Sequence, residues 1–248
     1  MEHPSGADLG IDVDLALSFA KIARILAVAP SEQAIFTTVV GLALESVDGA
    51  EHAGVFVLDN GAVSGRAVSD EFVEHIDSLQ LDAGEGPCID AMLHPDVTYC
   101  FASDLSIAAE WPTFGPAAVA SGLRSVLSLR LFADRPVALN LYSRLPTAFG
   151  ALDRSKALIL ASHAGMALHA VEARAAAIRK TEDLAAGLAM RSVIGQAQGI
   201  LMERERITAD QAFDALRRAS QHLNLKLRDV AQRLVDTGES PALLLPTV

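Results

Sequence analysis

Apolar residues first recur at helical spacing at Leu15, Phe19, Ile22, Ile25 and Leu26 and then stop near Pro30, which predicts an amphipathic helix ended by the proline. Ser31 can cap a second helix whose inward positions are Ala34, Ile35, Val39, Leu42 and Leu44. The period then shortens. HAGVFVLD at 52–59 and AVSGRAV at 62–68, separated by Asn60 and Gly61, read as a β-hairpin. SVLSLRLF and VALNLYS, joined through Ala133, Asp134, Arg135 and Pro136, read as a second pair. Between them, from about Asp70 to Gly122, no period persists and glycine and proline are frequent, which predicts an irregular segment.

Helical character resumes after Asp153, which reads as a cap, and meets nothing to break it before Gly187. Ala157, Ala161, Ala164, Leu168, Val171, Ala175 and Ile178 form a heptad seam open to three partners: the N-terminal helix, the sheet, or the same helix of a second subunit. The last stretch predicts three short helices. Val193, Ile194, Ala197, Ile200 and Leu201 are the inward face of the first. Thr208 and Gln211 have the form of a capping box for the second, with Ala212, Phe213, Leu216 and Ala219 inward. Asn224 interrupts, and Leu227, Val230, Ala231, Leu234 and Val235 mark a third helix stopped by Gly238. The fold class expected is an α+β domain with one antiparallel sheet covered by helices, then a helical connector, then an all-α three-helix domain.

Length and composition fit two domains with packed cores: the chain has 248 residues, 51% of them hydrophobic. Residues 1–12 are polar and aperiodic and are expected to be a flexible tail. No uncharged apolar run is long enough to span a membrane, and the N-terminus lacks a basic region followed by an apolar one, so a cytoplasmic location is expected. The two cysteines, Cys88 and Cys100, have no metal-ligand spacing, and no metal or cofactor is expected.

Charge is unevenly distributed. Residues 179–248 carry ten Lys and Arg against nine Asp and Glu, so the net charge of −11 lies almost wholly before them. Such a tail is not basic enough for wholesale phosphate neutralisation. If it meets nucleic acid, reading of unstacked loop bases suits it better. Arg217, Arg218, Lys226, Arg228 and Arg233 can supply a local patch, or simply a solvated surface. On the first tail helix, Arg191, Gly195, Gln198, Met202 and Arg206 line the side away from the apolar stripe. Gly195 and Gly199 each cost the helix about 1 kcal/mol relative to alanine, which implies close approach of a partner's backbone or base, or close helix packing.

The tail's order I-G-Q-A-Q-G-I-L-M, then A-F-D-A-L-R-R-A-S, then N-L-K-L-R-D-V-A, resembles the ANTAR family of RNA-binding antitermination domains. The resemblance implies a homodimer that recognises paired hairpin loops in leader RNA and prevents a terminator from forming. It makes Arg191, Gln196, Gln198, Gly199, Met202, Arg217, Arg218, Ser220, Asn224, Lys226 and Arg228 the expected RNA-binding residues. One departure stands out. Gln198 occupies the position where the family usually has lysine, which removes a cation from that face.

LDAGEGPCIDAM, EWPTFGPAAVASG, SVLSL and ALNLYS together resemble the GAF family of sensory domains over roughly residues 13–172, with Val137 where glycine often begins the last strand. That resemblance implies a small-molecule pocket between the sheet and the middle segment, and Gly86, Pro87, Cys88 and Trp111 are the expected ligand-binding residues. Cys88, Asp90, His94 and Asp104 are nucleophile, acid and base types, but their spacing supports no catalytic arrangement. A redox role for Cys88 stands against the ordinary reading of a small buried residue. No phosphate-binding G-x-x-x-x-G-K element is present.

The expectation is a signal-responsive RNA-binding regulator without enzyme activity. It comprises a sensor domain at 13–172, a helical connector at 173–187 and an RNA-binding domain at 188–240. Its rivals are a helix-turn-helix DNA-binding regulator, and a ligand-binding interaction module that has lost RNA function.

Overall fold

The computed structural model describes residues 13–59, 61–94, 96–131 and 135–239. The expected tail at 1–12, Asn60 of the first turn, and Ala133 and Asp134 of the second lie outside the described residues. Two compact units divide between Arg174 and Ala175.

Two helices open the first unit, α1 (Val13–Ala27) and α2 (Glu32–Ser46). The hydroxyl of Ser31 accepts from the Ala34 amide, as an N-cap should. Five strands form one antiparallel sheet in the order β2-β1-β5-β4-β3: β1 (His52–Asp59), β2 (Ala62–Val68), β3 (Tyr99–Ala102), β4 (Ser125–Leu131) and β5 (Val137–Ser143). Both predicted hairpins are present. Between them, the stretch expected to be irregular folds into three helices as well as β3: α3 (Glu71–Ala83), α4 (Pro87–Leu93) and α5 (Phe114–Ala120).

Strand alternation assigns the two faces of the sheet. Ala53, Val55 and Val57 of β1, Leu127 and Leu129 of β4, and Leu139 and Leu141 of β5 join one core with α1, α2 and the start of α6 (Ala151–Glu205). Phe56, Val126, Ala138 and Tyr142 join the other, beneath α3, α4 and α5. On α6 the residues entering the first core are Ala157, Leu160, Ala161, Ala164, Ala167 and Leu168. Small residues let the helix lie close to its neighbours, and each fully buried leucine contributes about 1.5–3 kcal/mol.

The predicted seam therefore divides. Ala157, Ala161, Ala164 and Leu168 are buried inside this unit, whereas Ile178 is exposed. Two helix boundaries also differ from expectation. Gly187 does not end the helix, because an interior glycine costs only about 1 kcal/mol and the turns on either side continue; the first tail helix is thus the end of α6 rather than a separate short one. Asp153 sits inside the first turn and reaches back, its carboxylate accepting from the amides of Gly150 and Asp48.

Arg135, after β4, gathers three carboxylates: Glu32 at the start of α2, Asp59 at the end of β1, and Glu172 on α6, the last at 3.6 Å. Asp59 is shared with Arg66 of β2. Arg135→Ala leaves Glu32, Asp59 and Glu172 without their common cation. It should destabilise this unit by about 1–2 kcal/mol, less at high salt, as measured by urea unfolding in low and high sodium chloride.

Candidate functional site

In the second unit the end of α6 packs against α7 (Ala209–Leu223) and α8 (Leu227–Thr237). Its core is Ala197, Leu201, Ala212, Ala215, Leu216, Ala219, Val230, Ala231 and Leu234. The capping box is formed: the Thr208 hydroxyl accepts from the Gln211 amide, and the Gln211 side chain accepts from the Thr208 amide. Phe213, expected inward, is instead 39% exposed and Ala215 takes the buried place. Alanines at 212, 215 and 219 share a face with Leu216, and Phe213 lies about 100° from Ala212 around the helix.

What remains outside is one continuous face of α6. Leu184, Leu188, Arg191, Gly195, Gly199 and Met202 follow each other at spacings of three or four residues, and all are exposed. A Cβ built on Gly195 or Gly199 would meet nothing within 4 Å. Packing among the described residues therefore does not explain either glycine. Gln198, expected on this face, is at its edge and half-buried; its Nε2 donates to the Ala209 carbonyl at 3.0 Å, tying α6 to the first turn of α7. Gln196 and Gly199 line a shallow groove of about 590 Å³ with Val235 of α8.

The other expected RNA-binding residues divide by partner. Arg191, Arg218 and Lys226 are exposed and make no ion pair among the described residues. Arg217 pairs with Asp214 at 3.1 Å and Arg228 with Asp229 at 3.1 Å, so each has an acidic neighbour on its own helix. Ser220 and Asn224 build the α7–α8 turn. The Ser220 hydroxyl donates to the Leu225 carbonyl at 2.6 Å, and Asn224 takes the left-handed conformation at φ 51°.

A second site lies in the first unit. Asp70 caps α3, accepting from the amides of Phe72 and Val73, and Gly84 ends it at φ 66°. The buried stripe of α3 is Val73, Ile76, Asp77 and Gln80, two of them polar. Gln80 holds α4 in place: its Oε1 accepts from the Cys88 amide at 2.9 Å, while its Nε2 donates to the Tyr142 hydroxyl at 3.3 Å. Gly86, at φ 141°, is required here because a Cβ would collide with the Gln80 side chain. Asn140 of β5 lies opposite Ser128 of β4 in the same buried layer and interacts with Cys88 and Tyr142.

Asp77 is the outlier of this layer. It is 5% exposed, its Oδ1 has no hydrogen-bond partner, and burial pushes its carboxyl up to about 7. It also lines an open groove of about 400 Å³ between β2 and α3, together with Phe56, Val63, Gly65, Glu74 and Leu81. The residues expected to bind ligand sit elsewhere. Gly86, Pro87 and Cys88 are buried at the start of α4, and Trp111 is buried with its Nε1 donating to Asp90 at 2.9 Å. Sequence reasoning missed Asp77; its signal was a lone acid at an inward position of a helix whose caps, Asp70 and Gly84, can be read from the sequence.

The catalytic types do not assemble. Asp104 is bound by Arg124 at 2.8 Å, which holds its carboxyl well below the usual range, and Asp90 serves Trp111. Complete burial pushes the Cys88 thiol far above its ordinary range, which removes the thiolate that redox or nucleophilic chemistry would need. Among the described residues no group of three or more His, Cys, Asp or Glu is placed to hold a metal ion, and no helix is long and apolar enough to cross a membrane.

Residues 182–235 match the family model for the ANTAR domain. No curated protein matches the chain. Among solved structures, the chromophore-binding domain of an unusual bacteriophytochrome from R. palustris is similar at a TM-score of 0.51 and 11% identity, over 66% of this chain and 64% of that one. A GAF domain of a putative sensor histidine kinase from Pseudomonas syringae pv. tomato aligns over 68% of this chain and 94% of that one, at a TM-score of 0.47 and 14% identity. A domain of a putative two-component sensor histidine kinase protein from Sinorhizobium meliloti 1021 aligns over 69% and 97%, at a TM-score of 0.40 and 16% identity. At such identities the likeness is one of fold. The expected architecture is observed: an α+β domain with one antiparallel sheet covered by helices, followed by a long helix and, in the region that matches the ANTAR model, α7 and α8.

Proposed function

We propose that this protein is a signal-responsive regulator that binds hairpin RNA through the ANTAR region and acts by transcription antitermination in the cytoplasm, with the GAF-like domain as its sensor and no enzymatic step. The observation that carries this reading is the exposed face of α6 within the ANTAR match, where, among the described residues, Arg191 makes no ion pair and Gly195 and Gly199 stand open without serving internal packing. Open glycine backbone beside a free guanidinium suits contact with unstacked bases and a few phosphates. The near-neutral charge of the tail agrees with base reading more than with duplex DNA binding.

A second copy of the chain completes the site in this reading. Leu184 and Leu188 are 62% and 67% exposed, and continue the same face towards the N-terminal end of α6. Two such helices side by side would cover both leucines and present two RNA-binding faces, which raises affinity for paired hairpins through effective concentration. On the sensor side, the cluster at Arg135 joins the end of β1 to Glu172 on α6, and offers a physical link from sheet to helix.

The test titrates full-length protein with RNA carrying two adjacent short hairpins, a single hairpin, and duplex DNA, with mass measured in parallel. The expected result is a dimer that prefers the paired hairpins at least tenfold. Leu184→Glu with Leu188→Glu should give a folded monomer that loses that preference. A parent protein that prefers duplex DNA overturns the RNA reading, and a double variant that keeps its dimer mass overturns the role of the leucines.

A further inference from the structure

Asp77 has no structural reason to be an acid. A buried carboxylate oxygen without a donor is costly, and a neutral residue of similar size at that position of α3 would be more stable. The groups around it offer no compensating charge. Glu74, one turn earlier on α3, adds a second carboxylate to the groove. Cys88 of α4 and Tyr142 of β5, both coupled to Asp77 electrostatically, are fully buried, and burial raises both well above their ordinary values, so both stay neutral. Among the described residues the cation lining the groove is Arg66 of β2, which is engaged by Asp59.

The rest of the groove is open and mixed in character, with Ser64 and Ser78 among its apolar residues. Phe56, Val63 and Leu81 line it, and Gly65 leaves space in front of the Phe56 ring, where a Cβ would come within 3.2 Å of a ring carbon. The result is an open groove of about 400 Å³ whose apolar wall of Phe56, Val63 and Leu81 stands beside two acids, Asp77 and Glu74. Such a groove complements a positive group carried on a compact apolar body.

Resting on the sensory reading of the GAF-like domain, we propose that the groove between β2 and α3 binds a small organic cation, an amine or amidine with a compact apolar body, whose positive group pairs with Asp77. The positive group pairs with the Asp77 carboxyl from the groove side, and the apolar body rests against Val63 and Leu81. Binding there also places the ligand beside Arg66, whose partner Asp59 is shared with Arg135.

Three probes of nearly one shape and different charge test this: benzamidine, benzamide and benzoate, titrated into full-length protein by calorimetry, with amide NMR reporting the site. Benzamidine should bind at least tenfold more tightly than benzamide, with shifts confined to β2 and α3, and benzoate should not bind. Asp77→Asn should bring benzamidine to the level of benzamide, and Gly65→Leu should block the groove. Benzamide or benzoate binding as tightly as benzamidine, in a manner that Gly65→Leu abolishes, overturns the cationic class while leaving a sensory groove. An unchanged benzamidine affinity in Asp77→Asn overturns the role of Asp77. No binding by any of the three overturns the assignment of this groove, and RNA binding by the ANTAR region would be unaffected.

Discussion

Asp77→Asn should make the protein more stable at about pH 8 and should remove a pH dependence that the parent shows. In the folded state this carboxyl keeps its proton up to about pH 7, whereas in the unfolded chain it ionises near its ordinary value of about 4. Between those values the folded state holds the extra proton, so raising the pH favours unfolding. Stability contributed by the protonated acid is complete below about pH 4, is lost as pH rises to about 7, and is constant above that. The span corresponds to an upper bound of about 4 kcal/mol. Asparagine cannot ionise, so the stability difference between variant and parent should grow by several kcal/mol from about pH 4 to pH 8. Chemical denaturation across that range measures it. Glu51, Asp70 and Asp104, all held low by hydrogen bonds or charge, lose stability in acid and slope the opposite way, but they are common to both proteins and cancel in the difference. A difference that stays flat with pH would mean that Asp77 ionises normally in the fold.

That same residue explains why part of the fold was hidden in the sequence. Both hairpins, the Ser31 cap and the capping box of α7 are local patterns, in which neighbouring residues decide the outcome, and all were readable. The inward stripe of α3 contains Asp77 and Gln80, so the apolar period that should announce a helix is broken by two buried polar residues. The caps at Asp70 and Gly84 were the remaining signal. Short α4 and α5 are set by tertiary packing over the sheet, beyond the reach of a period count. The seam on α6 shows a different limit. Its spacing identifies a helical stripe but not the partner: Ala157 enters the sheet core, whereas Ile178 is exposed among the described residues.

On the face proposed to meet RNA, the sequence shows an exposed helical side, but the internal partners of individual residues needed the structure. Gln198 bonds α7 and Ser220 bonds the Leu225 carbonyl, so removing either disturbs folding as well as any contact with RNA. Arg217 and Arg228 are partly neutralised by their own aspartates. Gly195 and Gly199 are free of such ambiguity, because they carry no side chain and none of the described residues occupies the space beside them.

For these two glycines, stability and function should move in opposite directions. Replacing either by alanine in an exposed helix interior should stabilise the protein by up to about 1 kcal/mol, since alanine loses less backbone freedom on folding and no atom stands within 4 Å of the new Cβ. Gly195→Leu with Gly199→Leu should also fold at least as well as the parent, because leucine is a strong helix former and both positions face open space. If RNA lies against this face, the two leucines hold bases and backbone away from α6, and affinity for paired-hairpin RNA should fall at least a hundredfold, about 2.7 kcal/mol of binding free energy. The salt dependence should change little, since no phosphate-binding cation is removed. Arg191→Ala supplies the contrast: a smaller loss, with the salt slope reduced by about one ion. Unfolding curves, sedimentation mass and binding isotherms at several salt concentrations on the same preparations separate these effects. A stable double-leucine variant that keeps its mass and binds RNA like the parent would place the RNA surface on α7 and α8, around Arg218 and Lys226.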